Sequence, residues 1–472
     1  MRLTSDIIAR YDRPGPRYTS YPTALEFHDL VTPSTYEGAL RSADPSAPVS
    51  LYVHLPFCAA RCLYCACHAI INPDGRAAEP YLTALIQEIE LVAARNPKRK
   101  VLAVHFGGGT PTFFSAAQLE HLMQTLRARF DIAPNAELSI ELDPRAIAPD
   151  HIDWMRAERF GRASIGVQDL DPQVQQAVCR EQPLAMVRAL VDDLRQKVGI
   201  SSLNVDLIYG LPHQTPEGFE ATLRAVAEHL KPERLAIYGF AYVPWLKPHQ
   251  RRLDPETFPD AAARVELLMR AGDVLDEAAY ERIGMDHFAL PSDSLFIAQQ
   301  QGRLSRNFMG YSATHTEDLI GLGLSAIGYV NGVFVQNQRH LRRYIECCEA
   351  GQLPTERGYS TSDDDLRRGW VIEALMCQFY VDKTKFERRF GLRFDSYFSE
   401  LQGALSALEA DGLLTQTPAA LAATPTGRLL IRNIALAFDW HTAQRQAAAA
   451  REAQQQQDTK QNLKQNAFSR TV

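Results

Sequence analysis

An α/β fold, an incomplete TIM-like (β/α)6 barrel, is the architecture this sequence predicts, and three observations predict it. Apolar runs of strand length recur at Leu51 to Leu55, Val101 to Phe106, Leu138 to Leu142, Ala163 to Val167, Leu203 to Tyr209 and Leu235 to Phe240. Helical patterns lie between them, for example Leu82, Leu85, Ile86 and Ile89, then Leu119, Leu122 and Leu126. The repeat of about 30 to 50 residues is that of a strand followed by a crossover helix. In such a fold chemistry gathers on the loops that follow the strands.

The flanking regions read differently. Residues 1–47 carry little apolar periodicity and much turn chemistry, which predicts an N-terminal arm before a barrel and its extension over 48–362. Residues 240 to 360 hold short polar motifs, with a helix expected near Ala261 to Leu275. A small, mostly helical domain is predicted over 363–441. There Phe398, Leu401, Leu405 and Leu408 share a face, Asp411-Gly412 is a stop, and Thr424-Pro425 caps a helix. Its outline is that of a winged helix without a basic recognition face. Residues 442–472 form an Ala/Gln-rich tail.

Composition narrows the function classes. Of 472 residues, 46% are apolar and 22% charged, enough for a full core. Fifty Lys plus Arg against 56 Asp plus Glu leave a charge of −6, which does not favour nucleic acid as a partner. No apolar stretch reaches the roughly 18 residues of a membrane span, and the N-terminus lacks the apolar core of a signal peptide. These features predict a cytoplasmic protein, where thiols stay reduced.

That setting gives meaning to HLPFCAARCLYCAC. Four of eight cysteines, Cys58, Cys62, Cys65 and Cys67, fall within ten residues on the loop after the first strand. Three thiolates spaced by four and three can wrap three corners of an iron–sulfur cubane and leave a fourth iron without a protein ligand. A structural zinc site is the plain alternative, although zinc motifs usually split into two separated pairs and no second knuckle is present.

Cys58-x3-Cys62-x2-Cys65 resembles the signature of the radical S-adenosylmethionine (SAM) superfamily. The motifs PGPRYTSYPTALEF, SLYVHLPFC, HFGGGTPT, SIELDPR, SIGVQDLDPQVQQAVCREQ, NVDLIYGLPHQTPEGF, IGMDHFA, RNFMGYSA, DLIGLGLSAIG and FSRTV resemble one family within it, the oxygen-independent coproporphyrinogen III oxidases. The resemblance implies a radical SAM barrel holding a [4Fe–4S] cluster on Cys58, Cys62 and Cys65. It implies one SAM at Tyr52, Gly108, Glu141 and Ile327, with Tyr52 and Glu141 at the catalytic centre. A second SAM is implied at Tyr64, Gly109, Thr110, Gln168, Arg180, Asp206 and Ala241.

Each residue also has a plainer reading. Tyr52 suits a half-buried strand aromatic, Glu141 a solvated carboxylate, Arg180 a surface ion-pair residue and Cys67 a small loop-packing residue. Asp206 is different, because a carboxylate inside an apolar strand is costly without a partner. Gly107 to Gly109 allow close approach of backbone to a ligand.

The activity implied is oxidative decarboxylation of two propionates of coproporphyrinogen III to vinyls, giving protoporphyrinogen IX, with SAM reductively cleaved to a 5′-deoxyadenosyl radical. A one-electron donor protein such as flavodoxin or ferredoxin and a monomeric state are expected. Arg17, His54, Arg282 and Arg306 are candidates to meet the four propionates, and the RYTSYPT arm is expected to act as a lid. Where the family commonly has NFQGY this chain has Met309, a thioether unable to replace an amide. The rival readings are a haem chaperone, a haem-modifying radical SAM methyltransferase and a zinc-stabilised scaffold.

Overall fold

Period-two alternation within each strand sets the architecture. In β1, Val49–Leu55, the residues Val49, Leu51, Val53 and Leu55 are all fully buried on one face, while Ser50, Tyr52 and His54 occupy the other. Fully buried apolar residues recur at every second position in β4 (Arg162–Gln168) and β5 (Ser202–Tyr209), and over parts of β2 (Lys100–Gly108), β3 (Asp131–Leu142) and β6 (Arg234–Gly239). The apolar face of each strand meets helices and forms the core. The opposite face is polar, and it carries the site.

The computed structural model describes residues 5–11, 15–96, 98–449 and 451. Strands β1 to β6 pair in parallel and in order, each predicted run becoming a strand. The sheet continues past both ends of this series. Beyond β6 lie β7 (Glu281–Ile283) and β8 (His287–Ala289), in the order β6-β8-β7 and antiparallel. Beyond β1 lie β9 (Asp318–Leu322), which is parallel to β1, then antiparallel β10 (Ile327–Val330), β11 (Val333–Asn337) and β12 (Thr355–Ser360). The twelve strands form one open, mostly parallel sheet, and no pairing closes it into a barrel among the described residues.

Helices cover the apolar face. The stripe Tyr81, Leu82, Leu85, Ile89 and Val92 buries one side of the helix Ala78–Arg95. Ser115 starts the helix Ala116–Arg129 with a capping box completed by Gln118. The predicted helix near 261–275 is Ala261–Glu277. No helix among the described residues is long and apolar enough to cross a membrane.

The chain divides into two compact units, Phe27–Thr361 and a second made of residues 1–26 with 362–472. The N-terminal segment is therefore shared between them rather than forming one arm to residue 47. Tyr18 is buried with its hydroxyl donating to Asp439, and Tyr21 accepts from the Trp440 amide, all inside the second unit. Phe27 instead stacks on Phe334, and the helix Pro33–Ser42 buries Tyr36 and Leu40 in the first unit. Mostly helical as expected, the second unit adds a three-stranded antiparallel sheet from Tyr380–Asp382, Leu414–Gln416 and Ala420–Ala423. The Thr424 hydroxyl accepts from the Gly427 amide, capping the helix Pro425–Leu429. Residues 452–472, including most of the Ala/Gln-rich tail and FSRTV, lie outside the described residues.

Candidate active site

The cysteine loop leaves β1 through Phe57–Cys58, which pairs in parallel with Ile70–Ile71. Cys62 is buried, Cys58 and Cys65 are half-buried and Cys67 is exposed. Hydrogen-bond donors converge on the sulfurs. The Thr110 hydroxyl reaches Cys58 Sγ at 3.3 Å, and Arg145 Nη2 and Arg180 Nη1 reach Cys62 Sγ at 3.4 and 3.5 Å. Cys65 is drawn down to about 6, first by a hydrogen bond with Cys67, and Cys67 rises in return. Burial pushes the Cys58 thiol up, against the Thr110 donor. Three thiols on one loop, each facing a donor that favours thiolate, fit the donor set of an iron–sulfur cluster. Among the described residues no three His, Cys, Asp or Glu side chains converge on a point where a single ion would sit.

The glycine run lies against this loop. Gly109 and Thr110 amides donate to the Leu55 and Phe57 carbonyls. A Cβ on Gly109 would stand 2.7 Å from the Phe57 carbonyl oxygen, and one on Gly108 would stand 2.6 Å from the His54 ring. Gly108 also has φ +115°, so glycine is required there for two reasons. Its amide donates to Glu141 Oε2 at 2.9 Å, fixing the carboxylate that β3 presents on its polar face.

Tyr52 lies mid-strand in β1, not at its end. Its ring stacks on His105 at 5.9 Å, and its hydroxyl is 2.9 Å from His54 Nδ1. Burial lowers His54 to about 4, so the imidazole is neutral at neutral pH. Nε2 stands 3.1 Å from the His68 carbonyl, which can only accept, so Nε2 carries the proton and Nδ1 accepts from Tyr52. A neutral His54 brings no positive charge to a propionate. Burial pushes Glu141 up, but His105 and the Gly108 amide outweigh it and the carboxyl is lowered. With 44% of its side chain exposed, Glu141 stands as a partly open carboxylate.

Farther along the sheet, Gly166 is the hub. It pairs in register with Asp206, and a Cβ on it would stand 2.7 Å from Gln168 Nε2 and 2.9 Å from Arg180 Nη2. Gln168 follows a β-bulge with φ +68°, which turns its side chain back over that glycine. Arg180 is 7% exposed, not a surface residue, and donates to Asp143 Oδ2 and the Gly166 carbonyl. Asp206 accepts from Asn204 Nδ2 at 2.7 Å and Ser164 Oγ at 3.0 Å, the partners an apolar strand requires. Burial first, then the nearby Glu141 charge, raise it to about 6.

Tyr64 and Ala241 are joined by the fully buried Gln250, whose amide donates to both carbonyls. Ile327 reaches the β1 side through Gly321, the register partner of Tyr52, where a Cβ would stand 2.6 Å from the Ile327 carbonyl oxygen. The sequence-predicted residues are thus distributed along the polar strand faces and the loops above them. Arg282 and Arg306 stand over the Phe288 and Tyr311 rings at 4.5 and 4.3 Å, and Met309 occupies a hairpin turn. Arg17 belongs to the other compact unit.

Sequence reasoning did not single out His105, Asp143, Arg145, Ser164 or Asn204. All lie inside the motifs HFGGGTPT, SIELDPR, SIGVQDL and NVDL. Alternation with buried neighbours was the signal for His105, Ser164 and Asn204, whereas Asp143 and Arg145 follow β3 on a loop. Gln250 had none, because a polar residue in VPWLKPHQ reads as solvated.

Known proteins resemble this chain along most of its length. Residues 52–226 match the Radical SAM superfamily and residues 361–430 the HemN C-terminal domain. The chain is 42% identical to the oxygen-independent coproporphyrinogen III oxidase of Synechocystis sp., across 93% of this chain and 95% of that protein. It is 43% identical to the enzyme of the same name from Salmonella typhimurium, with the same coverage. The structure of the radical SAM coproporphyrinogen III oxidase from Escherichia coli superposes with a TM-score of 0.87 at 42% identity, covering 90% of this chain and 97% of that one. The chain belongs to the oxygen-independent coproporphyrinogen III oxidase family of radical SAM enzymes.

Proposed function

We propose that this chain converts coproporphyrinogen III to protoporphyrinogen IX by decarboxylating two propionates to vinyls. One observation carries the reading: likeness to the named oxidases extends over 93% of the chain at 42 to 43% identity. A haem chaperone or a haem methyltransferase draws no comparable support. Held by Cys58, Cys62 and Cys65, a [4Fe–4S] cluster with SAM would supply the one-electron chemistry that opens a propionate β-carbon to loss of its hydrogen. The carboxylate then leaves as carbon dioxide and one electron passes to an acceptor. The sequence runs twice, in keeping with two SAM molecules.

The remaining work belongs to the protein. Cys58, Cys62 and Cys65 supply thiolates, and Thr110, Arg145 and Arg180 offset their charge. In this reading Tyr52, Gly108, Glu141 and Ile327 receive the first SAM. The open Glu141 carboxylate accepts from ribose hydroxyls or a cationic group, and the neutral His54 holds the Tyr52 hydroxyl. Tyr64, Gly109, Thr110, Gln168, Arg180, Asp206 and Ala241 receive the second, grouped by the Gly166 hub and the Gln250 bracket. A monomer in the reducing cytoplasm, served by a one-electron donor protein, completes the proposal.

Anaerobic turnover of the reconstituted protein with coproporphyrinogen III, SAM and a reductant tests it by product mass. Loss of two carbon dioxide plus four hydrogens from the neutral tetrapyrrole is the expected result. Haem retention without turnover, or a methylated tetrapyrrole, would contradict it.

A further inference from the structure

Glu88 lies on the helix Ala78–Arg95, at a position of the stripe that also contains Tyr81, Leu85 and Val92. It is 0% exposed, and its neighbours on that face are core residues. A carboxylate there is expensive unless every lone pair is used. Glu88 Oε2 accepts from the Gly323 amide at 2.7 Å and from the Tyr344 hydroxyl at 2.5 Å, and Oε1 accepts from Asn337 Nδ2 at 2.5 Å. Asn337 Nδ2 also donates to the Gly323 carbonyl, so both polar groups of Gly323 are held from the same cage.

Two turns earlier on the helix, the Tyr81 hydroxyl accepts from the Leu324 amide and donates to the His54 carbonyl. Gly323 has φ +100°, and a Cβ there would stand 2.5 Å from the Tyr81 hydroxyl and 2.6 Å from the His54 carbonyl oxygen. The turn after β9 is therefore pressed between helix and strand β1, and it leads directly into Ile327. It also lies beside His54, the partner of Tyr52.

We infer that Glu88 is a positioning residue for the SAM site: it clamps the turn at Gly323 and Leu324 and so sets the placement of Ile327. The inference rests on the proposed contact between Ile327 and the first SAM. Its chemistry is specific to a carboxylate. The Gly323 N–H and Asn337 Nδ2 can only donate, and Nδ2 is also held by the Gly323 carbonyl, whereas a glutamine offers one acceptor oxygen and a donor group in place of two acceptors. One of the donors then loses its partner and the turn loosens.

The test compares Glu88→Gln with Val92→Ala, a core truncation one turn along the same helix, in the reconstituted holoenzyme. Two quantities are read: amide hydrogen exchange at residues 323–327 and equilibrium SAM affinity. Glu88→Gln is expected to speed exchange at Gly323 and Leu324 at least tenfold and to raise the Kd for SAM about tenfold. Val92→Ala is expected to lower Tm while both readouts stay within twofold. If Glu88→Gln does not fold, Tyr344→Phe removes a single donor and is expected to give a smaller change of the same sign. Unchanged exchange at the turn overturns the clamp. Faster exchange with unchanged SAM affinity overturns its role in the site. Ile327→Ala then separates the causes: if it too leaves SAM affinity unchanged, the placement of SAM at Ile327 is what fails.

Discussion

Glu88 and Asp206 are both carboxylates in the unit Phe27–Thr361, and both are shifted upward by burial, to about 7 and about 6. Their surroundings differ. Glu88 is sealed at 0% exposure and caged by Gly323, Asn337 and Tyr344, all donating to it. Asp206 is half-buried on the polar face of β5, accepting from Asn204 and Ser164, with the small residues Gly166 and Ala236 as its register neighbours. A sealed carboxylate with a full set of donors acts on its own fold. One that keeps an open side between small residues is available to a ligand.

Substitutions sharpen that contrast. The largest effect on turnover is expected from Asp206→Ala, about a hundredfold loss, or roughly 2.7 kcal/mol at the transition state, with the fold retained by circular dichroism. Glu88→Ala should do the reverse, costing about 3 to 5 kcal/mol in urea unfolding because three buried donors lose their acceptor. If the two variants exchange these signatures, the distinction drawn from exposure fails.

Next in size is a pH effect at Asp206. Its carboxyl titrates at about 6 in the fold against an ordinary 3.8, so the folded chain keeps a proton that the unfolded chain has released. The resulting stabilisation is full below pH ~4 and is lost as pH rises through about 6. The loss is at most about 3 kcal/mol, less with screening at the open edge. Asp206→Asn can accept from Asn204 and donate to Ser164, so it should escape this loss. Its Tm should exceed that of the wild type progressively from pH 4 to pH 7 while turnover falls. Parallel Tm curves would contradict the assignment.

The smallest effect lies in the other compact unit. Thr424→Ala removes the cap on the Gly427 amide and should cost about 1 kcal/mol, with kcat unchanged.

Much of this was legible in the sequence because it is local. The six parallel strands announced themselves as apolar runs, and the cysteine loop, glycine run and Asp206 stood out against their neighbours. Strands β7, β8 and β10 did not. They are three or four residues long, and antiparallel pairing at the flanks of the sheet defines them rather than any periodic pattern. Tyr52 and Glu141 lie within strands, on the face that alternation turns away from the apolar core. Arg180 reads as a surface charge until the fold brings Asp143 and Cys62 to it. Glu88 carried a signal that is easily passed over, since the spacing 81-85-88-92 places a charge inside an apolar stripe.

The central claim is that Cys58, Cys62 and Cys65 leave one iron of the cluster for SAM to occupy. Mössbauer spectroscopy of the anaerobically reconstituted protein, recorded before and after SAM is added, tests it most directly. One iron of the four should change its isomer shift and quadrupole splitting when SAM is added, while the others keep sulfur-ligated parameters. A spectrum unaltered by SAM, with four equivalent sulfur-bound sites, would contradict it.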